Sequence, residues 1–300
     1  MTGAALRAGA LVFAVCSIAA VAWGTGTDVT NGDRLWANFS REAAVVGSNH
    51  FWLELRGMAL MDDQDIKQTD STGKTFEGPT LGFAGYPVNK PHCTASANKS
   101  CIESIDGGRF DLVGAYGLGA TAELGFDLPF VMTEKIDYTQ PGSRDRTGIG
   151  DLLLYGKIKK DLAEHWAGAL GLEISTATGS DNHFFGAGAT GLNPFLSTRY
   201  ASGPFAFGGH VGFLINTGNP PDVFNWDVDG IVRGNQSFAL RCEINGRVFR
   251  EFGETFNDAA IYPGVDFNLT DAIIIRPTAL AHLSTDAINW GVGIGFVFTM

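Results

Sequence analysis

From about residue 50 to the end of the chain, apolar and polar residues alternate with a period of two. In 166–176, Trp166, Gly168, Leu170, Leu172 and Ile174 fall on one face, and Ala167, Ala169, Gly171, Glu173 and Ser175 on the other. That period belongs to β-strands, whose successive side chains point to opposite sides of a sheet. The same pattern predicts strands over 50–60, 109–117, 121–131, 149–159, 166–176, 190–200, 205–216, 224–233, 238–249, 259–269, 272–283 and 288–298. In the third of these Leu124, Phe126 and Phe130 oppose Glu123 and Asp127. In the last, Trp290, Val292, Ile294, Phe296 and Phe298 oppose glycines at 291, 293 and 295. Tight turns near residues 118, 161, 202, 235 and 270 alternate with longer, polar connections, so short and long links sort to opposite ends of the strands.

The polar faces decide what kind of sheet this is. They carry Glu54, Glu123, Asp127, Asp151, Glu173, His210, Asp227, Asp229, Arg241, Glu243, Arg247, Asp266 and Arg276. As the core of a secreted β-sandwich, each ionised group would cost several kcal/mol unless paired. Turning the aromatic face outward to lipid and the charged face toward a wet lumen removes that cost, and closure pairs every backbone group. The pattern therefore predicts an all-β fold: a closed, antiparallel, up-and-down transmembrane β-barrel of about twelve strands. Glu123, Asp127, Asp151, Glu173, His210, Arg241, Glu243, Arg247, Asp266 and Arg276 are expected to line its lumen and to act in transport. Mixed signs predict interior ion pairs and a narrow passage. Positions such as Gly293 and Glu123 are expected to accept polar substitution better than the lipid face does.

The N-terminus agrees with an exported chain. Arg7, an uncharged run over 8–22 and Ala20-Val21-Ala22 read as a signal peptide over 1–22. A periplasmic lead-in over 23–49 and a barrel over 50–300 follow, with a long extracellular loop over 61–108. The outer membrane of a Gram-negative bacterium is the expected location, with membrane lipid, the barrel-assembly machinery and a small solute as partners. A formal net charge of −11 without clustered Lys and Arg excludes nucleic acid. Cys93 and Cys101 lie close together in the long loop and are expected to form a disulfide, whereas Cys242 is expected to stay unpaired. The six histidines show no ligand spacing, so neither metal nor cofactor is expected. A Ser/His hydrolase site could use His282 with Ser284 or His183 with Ser180, but a rim histidine beside a loop serine is the commoner arrangement, and no enzyme activity is expected.

Four stretches carry a family resemblance: YGLGATAELGFDLPFV over 116–131, TGIGDLLLYGKIKK over 147–160, LEISTATGS over 172–180, and the ending YPGVDFNLTDAIIIRPTALAHLSTDAINWGVGIGFVF over 262–298. Over about 109–298 the chain resembles the outer-membrane family labelled as the putative MetA pathway of phenol degradation. The resemblance implies an exported β-barrel that moves small hydrophobic or aromatic compounds. A structural or surface-binding barrel acting through its loops is the alternative function.

Overall fold

The computed structural model describes residues 43–61, 68–69, 75–76, 102–138, 143–179, 187–218, 221–235, 237–251, 254–283 and 290–300. The strands are β1 (Phe51–Met61), β2 (Gln68–Thr69), β3 (Thr75–Phe76), β4 (Ile102–Gly117), β5 (Ala122–Tyr138), β6 (Ser143–Gly148), β7 (Leu153–Ala163), β8 (Trp166–Ser175), β9 (Gly191–Ser202), β10 (Phe205–Asn216), β11 (Val223–Arg233), β12 (Phe238–Glu251), β13 (Glu254–Thr270), β14 (Ile273–His282) and β15 (Trp290–Thr299). The signal peptide, the Cys93–Cys101 pair, Ser180, His183 and Ser284 lie outside the described residues.

Apart from the β2–β3 hairpin, the strands form one antiparallel sheet that runs in sequence order from β7 to β15, continues through β1 and β4, and returns to β5. The β4–β5 pairing closes it. Beside β5, β7 covers Ala122–Asp127 and β6 covers Met132–Asp137, so these two share one place and the barrel has twelve positions. The β4–β5 closure pairs both sides of every one of the twelve positions, the condition for a sheet to cross a bilayer, and among the described residues of this sheet only the short β6 keeps a side without a strand.

The break between β6 and β7 has a local cause. Pro129 offers no N–H to a neighbour and sits where the β4–β5 register shifts after Phe110. Across from it, Gly150 donates to the Pro129 carbonyl at 2.7 Å, and Leu152 turns away to Thr178 Oγ1 at 2.8 Å. The wall continues through the residues that follow β8.

At the short-turn rim, Ser202-Gly203-Pro204 turns with Gly203 at φ 57°, a left-handed conformation that disfavours a side chain. The opposite rim corrects two expectations. Residues 102–108 belong to β4 rather than to the long loop, and 132–138 and 143–147 extend β5 and form β6. Likewise β12 and β13 pair out to Glu251 and Glu254, so their link is short. Over 102–108 polar and apolar residues fall on both parities, and 143–147 has no apolar residue, which hides the period of two.

The outward face is the apolar one. Leu124, Leu170, Leu196, Val211, Phe213 and Ile294 are exposed, whereas Glu123 and Asp127 on the alternate parity are each 1% exposed. Trp166, Tyr200 and Phe207 cluster on β8, β9 and β10 beside the short turns, with Trp166–Tyr200 and Tyr200–Phe207 ring centroids 5.0 Å apart. Such an aromatic girdle marks the membrane–water interface of a transmembrane barrel.

Candidate functional site

The barrel interior begins, at the short-turn rim, with an apolar stopper. Val46, from the segment before β1, packs with Trp52, Val113, Ala115, Tyr155, Ile274 and Val297. Ala43, Ala44 and Val46 are buried, and Val46 N donates to Glu123 Oε2 at 2.7 Å. The strap is seated on Gly117, where any Cβ would collide with the Val46 and Gly47 carbonyls. Glu123 also accepts from Tyr155 Oη at 2.7 Å and faces Lys157 Nζ at 3.5 Å. Tyr155 can lie flat there because Gly125 on the next strand leaves the space its ring fills.

Above the stopper lies a layer of paired charges. Arg276 donates through Nε and Nη2 to the two oxygens of Asp266, both at 2.9 Å, and through Nη1 to Glu54 at 3.3 Å. Arg56 donates to Glu54 at 3.3 Å, Arg241 to Asp266 at 3.0 Å and also to Thr278, and Arg109 to Asp111 at 2.6 Å. Glu54, Arg276, Asp266 and Asp111 are at most 1% exposed. Alternation of strand faces brings these groups inward, and the forked guanidinium matches the carboxylates.

Along β8 to β12 the interior is polar in a different way. Asn193 donates to Glu173 at 3.3 Å, and Asn225 donates to Asn193 at 3.2 Å. His210 lies 3.1 Å from Asn225 through Nε2 and 3.0 Å from Asp227 through Nδ1. Asn245 donates to Glu243 at 2.7 Å. Phe195, 1% exposed, lies over Gly171 and meets the His210 ring edge-on at 6.1 Å. Nearer the long-loop rim, Arg247 pairs with Asp258, which also faces His282 Nδ1 at 3.1 Å.

The ten residues expected to line a lumen all sit on the inner side of the wall, and the interior ion pairs that their mixed signs predict are present. The charges are packed against one another, because acids and bases from neighbouring strands fall into register. Asp151 stands apart: it lies in the β6–β7 break, and its carboxylate accepts from Gly179 N at 2.8 Å and Ala187 N at 2.7 Å, holding both ends of the β8–β9 connection. Glu123 and Gly293 are not tolerant positions. Glu123 anchors the strap, and a Cβ at Gly293 would stand 2.8 Å from the Gly57 carbonyl. Arg56, Asp111, Lys157 and Arg199 share the interior with Glu54 without having been singled out as lumen residues. For Arg199 the signal is its parity with Asn193, Phe195 and Ser197. Cys242, half-buried on the outward face of β12, keeps its thiol. Among the described residues no group of three His, Cys, Asp or Glu is placed to hold a metal ion.

A cavity of about 820 Å³ opens at the short-turn rim beside the strap, bordered by Ala44, Gly47, Lys159, His165, Arg199 and Arg233. It lies at the foot of β7, β8, β9 and β11, while the apolar stopper occupies β1, β4, β14, β15 and the upper part of β7.

A closed twelve-position barrel with an apolar outer belt, an aromatic girdle and a charged interior defines a transmembrane β-barrel of the outer-membrane type. The chain belongs to the family described as "Putative MetA-pathway of phenol degradation", which matches residues 106–300. Among solved structures it is similar to the COG4313 outer membrane channel from Pseudomonas putida F1, at TM-score 0.62 and 11% identity over 88% of this chain and 100% of that one. The NanC porin (TM-score 0.47, 11% identity, 82% of this chain and 98% of that one) and the CymD monoaromatic hydrocarbon channel (TM-score 0.43, 7% identity, 85% and 88%) also match. No curated protein matches the sequence.

Proposed function

We propose that the chain is an outer-membrane channel of a Gram-negative bacterium that passes small organic solutes, aromatic ones included. The observation that carries this reading is the cavity beside the strap. Its volume of about 820 Å³ falls within the range of roughly 300–1,000 Å³ usual for small-molecule sites. It is lined by the rim ends of β8, β9 and β11, through Ala167, Arg199 and Arg233, at the foot of the wall whose interior is polar. The family's association with phenol degradation supports aromatic cargo, and the Asn193, Asn225 and Glu173 side chains of that wall favour molecules that carry hydrogen-bonding groups.

The packed interior sets the scale of transport: a narrow passage with small conductance, in place of a water-filled pore. Recordings on the refolded full chain in planar bilayers should show small unitary currents. Proteoliposomes should swell in small polar aromatic solutes and stay unchanged in large sugars. The absence of both current and flux would refute the proposal.

A further inference from the structure

The strap divides two compartments. Val45, with Ala44 and Gly47, borders the rim cavity, whereas Val46 is buried in the apolar stopper, so consecutive residues face the two sides. Its attachment is slight beside that of a strand. Residues 43–47 join no ladder of the sheet, and Ser48 makes a single bridge to Gly117. Ala43 rests on Ala167 and Ala169, small side chain against small side chain. Asn49, at φ 59°, turns the chain into β1, with His50 N donating to the Gly47 carbonyl at 3.0 Å. Asparagine accepts this left-handed conformation more readily than most residues, which makes the turn a natural hinge.

What the strap covers has the make-up of a binding site. Trp52, Val113, Ala115 and Tyr155 supply aromatic and apolar walls, and beside them stands the buried Glu123 carboxylate. Val46 gives this pocket two things: an apolar side chain, and an N–H that donates to Glu123 Oε2 at 2.7 Å. The other oxygen, Oε1, is served from the wall itself, by Tyr155 Oη at 2.7 Å and Lys157 Nζ at 3.5 Å. Lifting the strap therefore takes a hydrogen bond from a buried carboxylate, which is costly until another donor replaces it. Water restores the hydrogen bond and leaves the apolar walls wet. A small apolar molecule with an O–H or N–H meets both needs, and its bond to the carboxylate is charge-assisted. A molecule that only accepts returns nothing to Glu123.

We propose that the seat of Val46 is a solute site, occupied in this structure by the strap as a tethered competitor. Its ligands are small molecules with an aromatic or apolar body and one O–H or N–H donor. They enter from the cavity, take the place of Val46 on Glu123 and release the strap. This rests on the channel reading and adds to it the group that recognises the solute and the contact that keeps the empty barrel shut. Because strap and solute exclude each other, the apparent affinity for solute is reduced by the population of the strap-seated state.

Phenol and anisole share a ring and differ in the donor, and each is titrated into the refolded full chain in lipid nanodiscs. Saturating phenol should speed amide hydrogen exchange at Val46 by about tenfold or more, and anisole at the same concentration should change it by less than about twofold. Exchange at Phe213, in the outward belt, should stay constant and serves as the reference. This arm needs no variant. In a second arm Val46→Gly keeps the N–H but withdraws the side chain from the stopper, and it should lower the phenol dissociation constant by about fivefold or more. Unchanged exchange at Val46, an equal response to anisole, an acceleration shared by Phe213, or a Val46→Gly chain that binds phenol no more tightly than the parent would overturn the proposal. A strap released by phenol in a barrel that passes neither ions nor solute would keep the seat and discard the channel reading. Flux with the strap unmoved would keep the channel and discard the seat.

Discussion

Replacing Arg276 with Met tests whether the central charge layer is packed or hydrated. Arg276 is 1% exposed and donates three hydrogen bonds, two to Asp266 and one to Glu54, which are themselves 1% and 0% exposed. Methionine fills part of the volume but leaves five charged groups in the layer around a missing cation: Glu54, Asp266, Arg56, Arg241 and, through Arg56, Asp111. Asp266 keeps Arg241, and Glu54 keeps Arg56. Breaking a buried pair by removing one partner costs about 3–5 kcal/mol, whereas a solvent-screened pair is worth about 0–1 kcal/mol. The predicted loss is at the upper value, about 3 kcal/mol or more. Removing Glu54 as well, in Arg276→Met, Glu54→Gln, leaves Arg241 with Asp266, and Arg56 beside Asp111 and Asp127. Charge balance returns, and the double variant should recover part of the loss, with a coupling of about 0.5–3 kcal/mol. Equilibrium urea unfolding in lipid vesicles, followed by tryptophan fluorescence, measures both quantities. A single-variant cost below about 1 kcal/mol with no coupling would refute the packed layer and restore a hydrated lumen.

Phe213→Arg, in the outward belt, should cost about 2–4 kcal/mol and impair assembly, read as loss of the heat-modifiable folded band. Asp151→Ala removes the acceptor of Gly179 N and Ala187 N, so amide hydrogen exchange at both should accelerate, with a stability loss of about 1–3 kcal/mol. Val46→Asp places a charge in the apolar stopper and should displace the strap, raising unitary conductance in bilayer recordings while the barrel stays folded.

The barrel was legible in the sequence because its membrane-facing strands separate faces sharply. In 205–216 the outward Phe205, Phe207, Val211, Phe213 and Ile215 and the inward His210 could be assigned from parity alone. The strand extensions were not legible, since over 102–108 polar and apolar residues fall on both parities and over 132–138 Glu134 interrupts the apolar parity of Met132, Ile136 and Tyr138. Charged residues could be placed inside but not paired, because pairing depends on register across strands distant in the chain: Arg276 and Glu54 are 222 residues apart. In sequence the strap reads only as part of a periplasmic lead-in over 23–49. Val46 is an ordinary apolar residue in sequence, and its place comes from the distant Glu123 carboxylate, 77 residues on, and from the cluster it packs into. Asp151 carried the inward parity of a lumen group, and only the loop amides that it receives reveal what it holds.

The face of the wall that meets lipid distinguishes a transmembrane barrel from any other β-fold, and spin labels placed singly along β10 read it directly. In bilayers, labels at 207, 211 and 213 should be relaxed by dissolved oxygen and shielded from a water-soluble nickel chelate. Labels at 206, 210 and 212 should be shielded from oxygen, so that the accessibility ratio alternates with a period of two. Chelate access at 207, 211 and 213, or a ratio without alternation, would contradict a transmembrane barrel with its charges inside.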